Sequence, residues 1–392
     1  MTDASRRLAC LGALLAIFAG SALAAPYRPR SDDEVLERLP KTAGIASERA
    51  TRALRTLTAR DPGNLDLALR LAGIYIARAR SESDPRPLGR AQAVLAPWWD
   101  QNDPPVPVLV LRATIEQSNH AFDQARSDLE RAVARDPENA QAWLTLATVQ
   151  QVTGDLAGAA QSCARVAAAA IVAATCRASV DGVSGRAESA YRALEDALAS
   201  SASEPVTLRT WATTLQAELA ERLARPSDAE RLYRASLALD PRDAYATAAY
   251  ADFLIDAGRY ADVIALIAKD TPVDTLLLRR AQAARRAQAS DAAEIADDLG
   301  QRFAALRARG ERVHLREEAR FALDVRDAPD DALALALDNW RVQKEPLDAR
   351  ILLEAAIAAR KPQAAGEVLD WLASTRLESA PIAALAQKAR TR

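Results

Sequence analysis

The sequence predicts an all-α protein, a solenoid of stacked antiparallel helix pairs, on three observations. The 392 residues are 49% apolar yet only 5% aromatic, with 14 glycines, and they are dominated by Ala, Leu and Arg, residues that lose little on entering a helix. An Asp-Pro phrase recurs at Asp61-Pro62, Asp136-Pro137 and Asp240-Pro241. Small residues suited to close helix packing return at intervals near 34.

Charge excludes some partners. With 51 basic and 53 acidic residues the formal net charge is −2, and no long run of one sign appears, so neither nucleic acid nor a membrane surface has an electrostatic footprint. Arg outnumbers Lys heavily, a bias of the kind a high-GC bacterial genome imposes.

The first residues form an export signal. Arg6 and Arg7 precede an uncharged apolar stretch, and Ala22-Leu23-Ala24 supplies the small residues a signal peptidase needs, so cleavage is expected between Ala24 and Ala25. Leu8 to Ala25 is 18 uncharged residues, barely enough to span a bilayer of about 30 Å, and a retained anchor is the alternative. Cys10 precedes the apolar core, which argues against a lipoprotein site. The mature chain is expected to be periplasmic or secreted, without stable membrane insertion. Residues 25–45 hold Ser31-Asp32-Asp33-Glu34, capping-box spacing for a short helix with Val35, Leu36 and Leu39 inward.

The repeat array follows at 46–273. In Asp136-Pro137 the proline disfavours helix at the residue before it and lacks an amide hydrogen, so a helix ends there. Two residues on, Asn139 can cap the next helix. Asn64, Asp243 and Asp348 hold the same place after Pro62, Pro241 and Pro346. Trp143, Leu146 and Ala147 then share a helical face, Gly154-Asp155 makes a turn, and Ala159 packs the second helix on the first. Leu109, Ala113, His120 and Ala125 repeat these roles 34 residues earlier.

This pattern resembles the tetratricopeptide repeat family. The resemblance implies a right-handed α-α superhelix that binds proteins on its concave face. The close-packing positions fall at Ala50, Ala91, Ala125, Ala159, Ala187, Ala229 and Val263, spaced 41, 34, 34, 28, 42 and 34. Ser81 to Pro87 reads as an inserted loop that explains the first long interval. Residues 274–392 read as degenerate helical repeats, with helices at 276–286, 291–307, 315–325, 330–340, 349–359 and 364–372. Val106 to Leu109 and Ala332 to Leu337 would look like strands in isolation; the repeat phase makes them helical.

Cys163 and Cys176 remain in an oxidising compartment. Two readings compete. On one straight helix over 156–180 they would lie about 20 Å apart, too far to bond. The repeat phase instead turns the chain between Val166 and Ile171, placing them across an antiparallel pair as a disulfide; two buried thiols are the alternative.

Catalytic and metal chemistry lacks its residues. The two histidines, His120 and His314, lie in no HExxH or Cys/His cluster, and His120 reads as a solvated turn residue. The mature chain has no phosphate-loop motif, and Glu317-Glu318 and Asp297-Asp298 read as solvated charge pairs. No cofactor or metal is expected, and the chain is read as not an enzyme.

Relatives that grip acidic chaperone tails use a basic residue and an Asn on the inner face; here those places hold pairs such as Val110 and Thr114, Leu144 and Thr148, and Ala248 and Asp252. By family geometry the inner face would include Thr114, Gln117, Thr148, Gln151, Trp211, Glu218, Tyr245 and Asp252, a mixed groove suited to a peptide or helix. Trp211 and Tyr245 are the candidate anchors; packing between repeats is the alternative for each. Trp143, Trp340 and Trp371 are assigned to the core. The expected function is an exported non-catalytic scaffold or assembly factor that binds a segment of another envelope protein. The alternatives are a helical-array enzyme acting on an envelope polymer and a structural subunit of a larger complex.

Overall fold

The computed structural model describes residues 45–391. The expected export signal with its expected cleavage site, Cys10 and the helix expected from Ser31 lie outside the described residues. The chain divides into compact units at residues 1–52 and 53–392, and the second is described below. It is helical throughout, with no strand among the described residues.

α1 (Ile45–Arg60) leads into successive helix pairs: α2 (Leu65–Glu82) with α3 (Arg86–Trp99), α4 (Val106–Ser118) with α5 (Phe122–Arg135), and α6 (Ala140–Val152) with α7 (Leu156–Ala164). They continue as α8 (Ala170–Asp181) with α9 (Ala187–Ala199), α10 (Val206–Arg222) with α11 (Pro226–Leu239), and α12 (Ala244–Asp256) with α13 (Tyr260–Leu266). The last third holds α14 (Asp274–Arg286) with α15 (Ala292–Ala308), α16 (Leu315–Asp324) with α17 (Pro329–Val342), α18 (Pro346–Ala358) with a 3-10 turn and α19 (Gly366–Thr375), and a closing α20 (Ala380–Arg390). From α2 to α20 each first helix packs on the next first helix, whereas second helices make at most passing contact with one another. First helices therefore crowd the inner wall, and the array curves around them.

Small residues make that packing possible. Ala91, Ala125, Ala159, Ala187, Ala229 and Val263 are all fully buried. Ala50 is not; it is exposed on α1. Trp143 packs against two successive core clusters and anchors its indole N–H on the Pro137 carbonyl at 2.8 Å. Trp340 is buried and meets Trp371 edge to face at 5.5 Å.

The caps follow the punctuation with one exception. Asn64, Asn139 and Asp243 accept from the backbone N–H of Leu67, Ala142 and Ala246 at 3.2, 3.0 and 2.8 Å. Asp348 is instead the third residue of α18, in its first turn, where it accepts from the Glu345 N–H at 2.8 Å and completes a capping box. Pro346 starts that helix, because a first-turn proline loses no hydrogen bond. For the same reason Ser81–Pro87 is no inserted loop: α2 runs on to Glu82 and Pro87 lies in the first turn of α3.

Every turn inside a pair uses one device. Ser83, His120, Gly154, Gly185, Ala224, Gly258, Gln288, Asp327 and Arg360 all adopt positive φ, the left-handed conformation that ends helices. The next amide then reaches back five residues, as in Asp155 N–H to Gln150 O at 2.8 Å, Arg259 to Leu254 at 2.8 Å and Lys361 to Ala356 at 2.8 Å, except after Asp327, where Ala328 reaches back six, to Ala322 at 2.9 Å. Residues 274–392 thus continue the pairing, although Gln288, Asp327 and Arg360 have replaced the glycine that marks the turn. α20 was not anticipated from sequence. His120 is half-buried and stacks on Phe122 at 5.2 Å, so it is not a solvated turn residue.

The chain turns at 165–169, and a Cys163–Cys176 disulfide joins α7 to α8 with Cα atoms 5.5 Å apart. Both cysteines are buried.

Reducing this disulfide is expected to lower stability by about 3 kcal/mol in urea unfolding, since it closes a short loop in the unfolded chain. Ala224→Gly and Gln288→Gly are each expected to raise stability by about 0.5–1 kcal/mol, because glycine relieves the left-handed strain; a loss of stability would show that the side chains hold the turns by contacts.

Candidate functional site

The inner wall is the surface that the curvature shapes, and its second half carries charge. α12 presents Tyr245, Asp252 and Asp256, spaced by seven and four residues and so on one helical face. α14 adds Arg279, Gln282 and Arg286, α16 adds Arg316, Arg320 and Asp324, and α18 adds Leu347, Arg350 and Glu354. Curvature brings these faces together across long stretches of sequence. Arg320 pairs with Asp252 at 2.9 and 3.2 Å, and Arg350 grips Asp256 at 2.5 and 2.6 Å. Arg279 holds Asp252 from the neighbouring helix at 2.8 and 3.1 Å. Arg316 engages both Glu345 and Asp348.

Between them lies a cavity of about 260 Å³, lined by Asp252, Asp256, Gln282, Arg286, Arg320, Asp324, Arg350 and Glu354, with Ile255, Tyr260, Leu347 and Ile351. Its size approaches that of small-ligand sites, but its charges already satisfy one another. Glu354 accepts from Arg350 at 2.8 Å and Asp324 from Gln282 at 2.6 Å.

Limited solvation shifts the carboxyls in opposite directions. Burial pushes the Asp252 carboxyl up, but Arg279 and Arg320 outweigh it and hold its pKa well below the usual range. Glu218 and Glu221 lack that compensation. Burial raises both; against it Glu218 has Arg222 and the Tyr245 hydroxyl at 2.6 Å, and Glu221 has the Tyr233 hydroxyl at 3.0 Å. Asp256, Glu218 and Asp252 add repulsion at Glu221, whose pKa rises to about 7.

The expected anchors part company. Tyr245 is 63% exposed, yet its hydroxyl titrates well above the usual range because of the Glu218 charge and the surrounding protein. Trp211 is partly buried and packs against the core between repeats. Thr114 is buried and returns its hydroxyl to the Val110 carbonyl at 2.8 Å. Thr148 is exposed, Gln117 is half-buried, and the Gln151 side chain accepts from Ser179 at 2.9 Å. Asp252 is consumed by its two arginines. Leu347 and Arg350 were missed from sequence. Leu347 precedes the Arg360 turn by the interval that separates Tyr245 from Gly258, a register hidden because Arg360 is not a glycine.

No group of metal-ligating residues occurs among the described residues. Asp297 and Asp298 are exposed, as a solvated pair should be, and make surface ion pairs with Arg326 at 3.0 Å and Arg302 at 2.8 Å, whereas Glu318 is buried against Arg307 and so departs from that reading. No described helix is long and apolar enough to cross a membrane.

Residues 117–170 match the tetratricopeptide repeat family model, a stretch that holds the α5–α7 helices. No curated protein matches the chain. Among solved structures it is similar to PilF of Pseudomonas aeruginosa, at 18% identity over 50% of this chain and 90% of that one, with a TM-score of 0.38. A tetratricopeptide repeat protein from Parabacteroides merdae aligns at 13% identity over 74% and 98%, TM-score 0.39. A Rap protein complexed with competence and sporulation factor aligns at 12% over 88% and 94%, TM-score 0.47.

Asp252→Ala would leave Arg279 and Arg320 facing each other and is expected to cost about 3 kcal/mol or more in urea unfolding; a smaller loss would mean that water replaces the carboxylate. A raised carboxyl pKa makes the folded chain bind its proton more tightly than the unfolded chain. The stability from Glu221 is therefore complete below pH 4.5 and lost as pH rises toward about 7. Glu221→Gln should accordingly gain on the parent by about 3 kcal/mol between pH 4 and pH 8. A flat difference across that range would refute the shift.

Proposed function

We propose that this chain is an exported, non-catalytic interaction scaffold or assembly factor that holds a peptide or helix of another envelope protein on its inner face. Tyr245 carries this reading: a 63% exposed aromatic on the inside of the curve, at the same height within its helix as the 37% exposed Leu347. Both stand thirteen residues before the turn of their pair. An aromatic and an aliphatic side chain among paired charges suit an amphipathic segment, whose apolar residues would cover them while its polar side rests on the charged rim. The apolar stretch before Ala25 and the oxidised pair Cys163–Cys176 support export to a disulfide-permissive compartment.

Catalysis by the inner carboxyls is the second reading. Glu221, near pH 7, would be its best acid-base group. It does not line the cavity, and the Tyr233 hydroxyl occupies its carboxylate.

A photocrosslinking side chain at Tyr245, followed by mass spectrometry from native cells, is expected to trap one envelope protein. Tyr245→Ala with Leu347→Ala should weaken capture of that partner at least about tenfold while helicity is kept. Capture unaffected by the double variant would favour a purely structural subunit. Cell fractionation with N-terminal sequencing checks export; a chain beginning at Met1 in the cytoplasm would refute it.

A further inference from the structure

In a solenoid each repeat touches its neighbours alone, so contacts between repeats far apart in sequence serve something other than building the array. Among the described residues, contacts of this kind join α16 and α18 to α12, through Arg320 with Asp252 and Arg350 with Asp256, and three more join the last third to the α4 to α9 region. The Lys344 N–H donates to the Val152 carbonyl at 2.7 Å. The Ala187 N–H, in the first turn of α9, donates to Glu378 Oε2 at 2.6 Å. Val342 packs on the core cluster of α4, α5 and α6.

Each backbone tie sits beside a glycine. A Cβ on Gly154 would lie 3.1 Å from Lys344 Cδ, and one on Gly185 would lie 3.0 Å from Arg376 Cβ and 3.1 Å from its carbonyl oxygen. Positive φ alone does not explain this closeness, because Gly258 and Gly310 share that conformation and have nothing within 4 Å. Gly154 and Gly185 are the turns of consecutive pairs, and Lys344 and Arg376 lie in the connections that follow α17 and α19, on either side of the α18–α19 pair. The turns of two consecutive pairs are thus met in order by two loops of the last third.

We infer that α16 to α20 form a clasp, which docks on the turns of the α4 to α9 region through two glycine sockets and releases from them as a unit, opening the inner face without unfolding any helix pair. The ties to the α4 to α9 region are few, two hydrogen bonds donated by backbone N–H groups and the Val342 side chain, whereas the helices of the arm share a core of their own in which Leu333, Trp340, Leu352 and Leu353 are buried together. Separation at the seam exposes little of that core. The clasp concerns the chain's own motion and stands whether or not a peptide is the occupant.

Hydrogen exchange on the full chain tests it. The Lys344 and Ala187 amides should exchange together, faster than the buried amides of Leu333 and Leu353. Gly154→Leu with Gly185→Leu should speed both seam amides by about tenfold or more and leave the arm's internal amides unchanged. Gly258→Leu with Gly310→Leu carries the same backbone strain and should leave the seam as it was. Glu378→Ala is the second variant. It frees Ala187 directly, and a released clasp should then speed exchange at the distant Lys344 amide too. Acceleration confined to Ala187, equal behaviour of the two glycine variants, or seam amides as protected as the core would each overturn the clasp.

Discussion

The left-handed turn residue inside each helix pair is the constraint from which the rest of this structure descends. It reverses the chain and lets the following amide satisfy a carbonyl five residues back, from Asp155 onto Gln150 to Lys361 onto Ala356. With the turn this tight, the two helices of a pair can separate only as far as their facing side chains require. Buried Ala125, Ala159, Ala187 and Ala229 keep that distance small. First helices then stack on first helices, and the curvature follows from their crowding.

Crowding decides the chemistry of the inner wall. Side chains there are partly solvated at best, so a charge must find an opposite charge or give up its ionisation. Asp252 and Asp256 take the first course, each held by guanidinium groups from helices far along the chain. Glu218 and Glu221 lean toward the second. The paired charges brace the second half of the wall, which leaves Tyr245 and Leu347 as the large apolar side chains offered to solvent on it. Recognition there must work around a network that is already satisfied.

Contacts between the last third and the α4 to α9 region belong to a different order of structure. Repeat packing needs only adjacent pairs, and the disulfide between α7 and α8 acts within that local logic. Glu378 on the first turn of α9, and Lys344 on Val152, instead depend on curvature accumulated over six or seven pairs. Such contacts are sensitive to small changes in every intervening turn, and for that reason they suit a seam that opens.

Much of the fold was legible in the sequence because its signals are local. A proline stops a helix at Pro62, Pro137 and Pro241, a polar side chain two residues on caps the next, and alanine marks close packing. The same periodicity placed Cys163 opposite Cys176. It also separated Trp143, fixed between two cores, from exposed Tyr245 only in part, since Trp211 looked equally free and packs between repeats. Past residue 274 the reading weakened because Gln288, Asp327 and Arg360 occupy the left-handed turn usually marked by glycine; a backbone conformation can persist where its preferred residue does not. The sequence by itself determined the helix pairs and their spacing, through propensity, caps and small residues acting over a few positions. Tertiary structure alone decided that Asp256 meets Arg350, that Thr114 is buried, and that the last third closes on Gly154 and Gly185, because each depends on the summed curvature of the whole array.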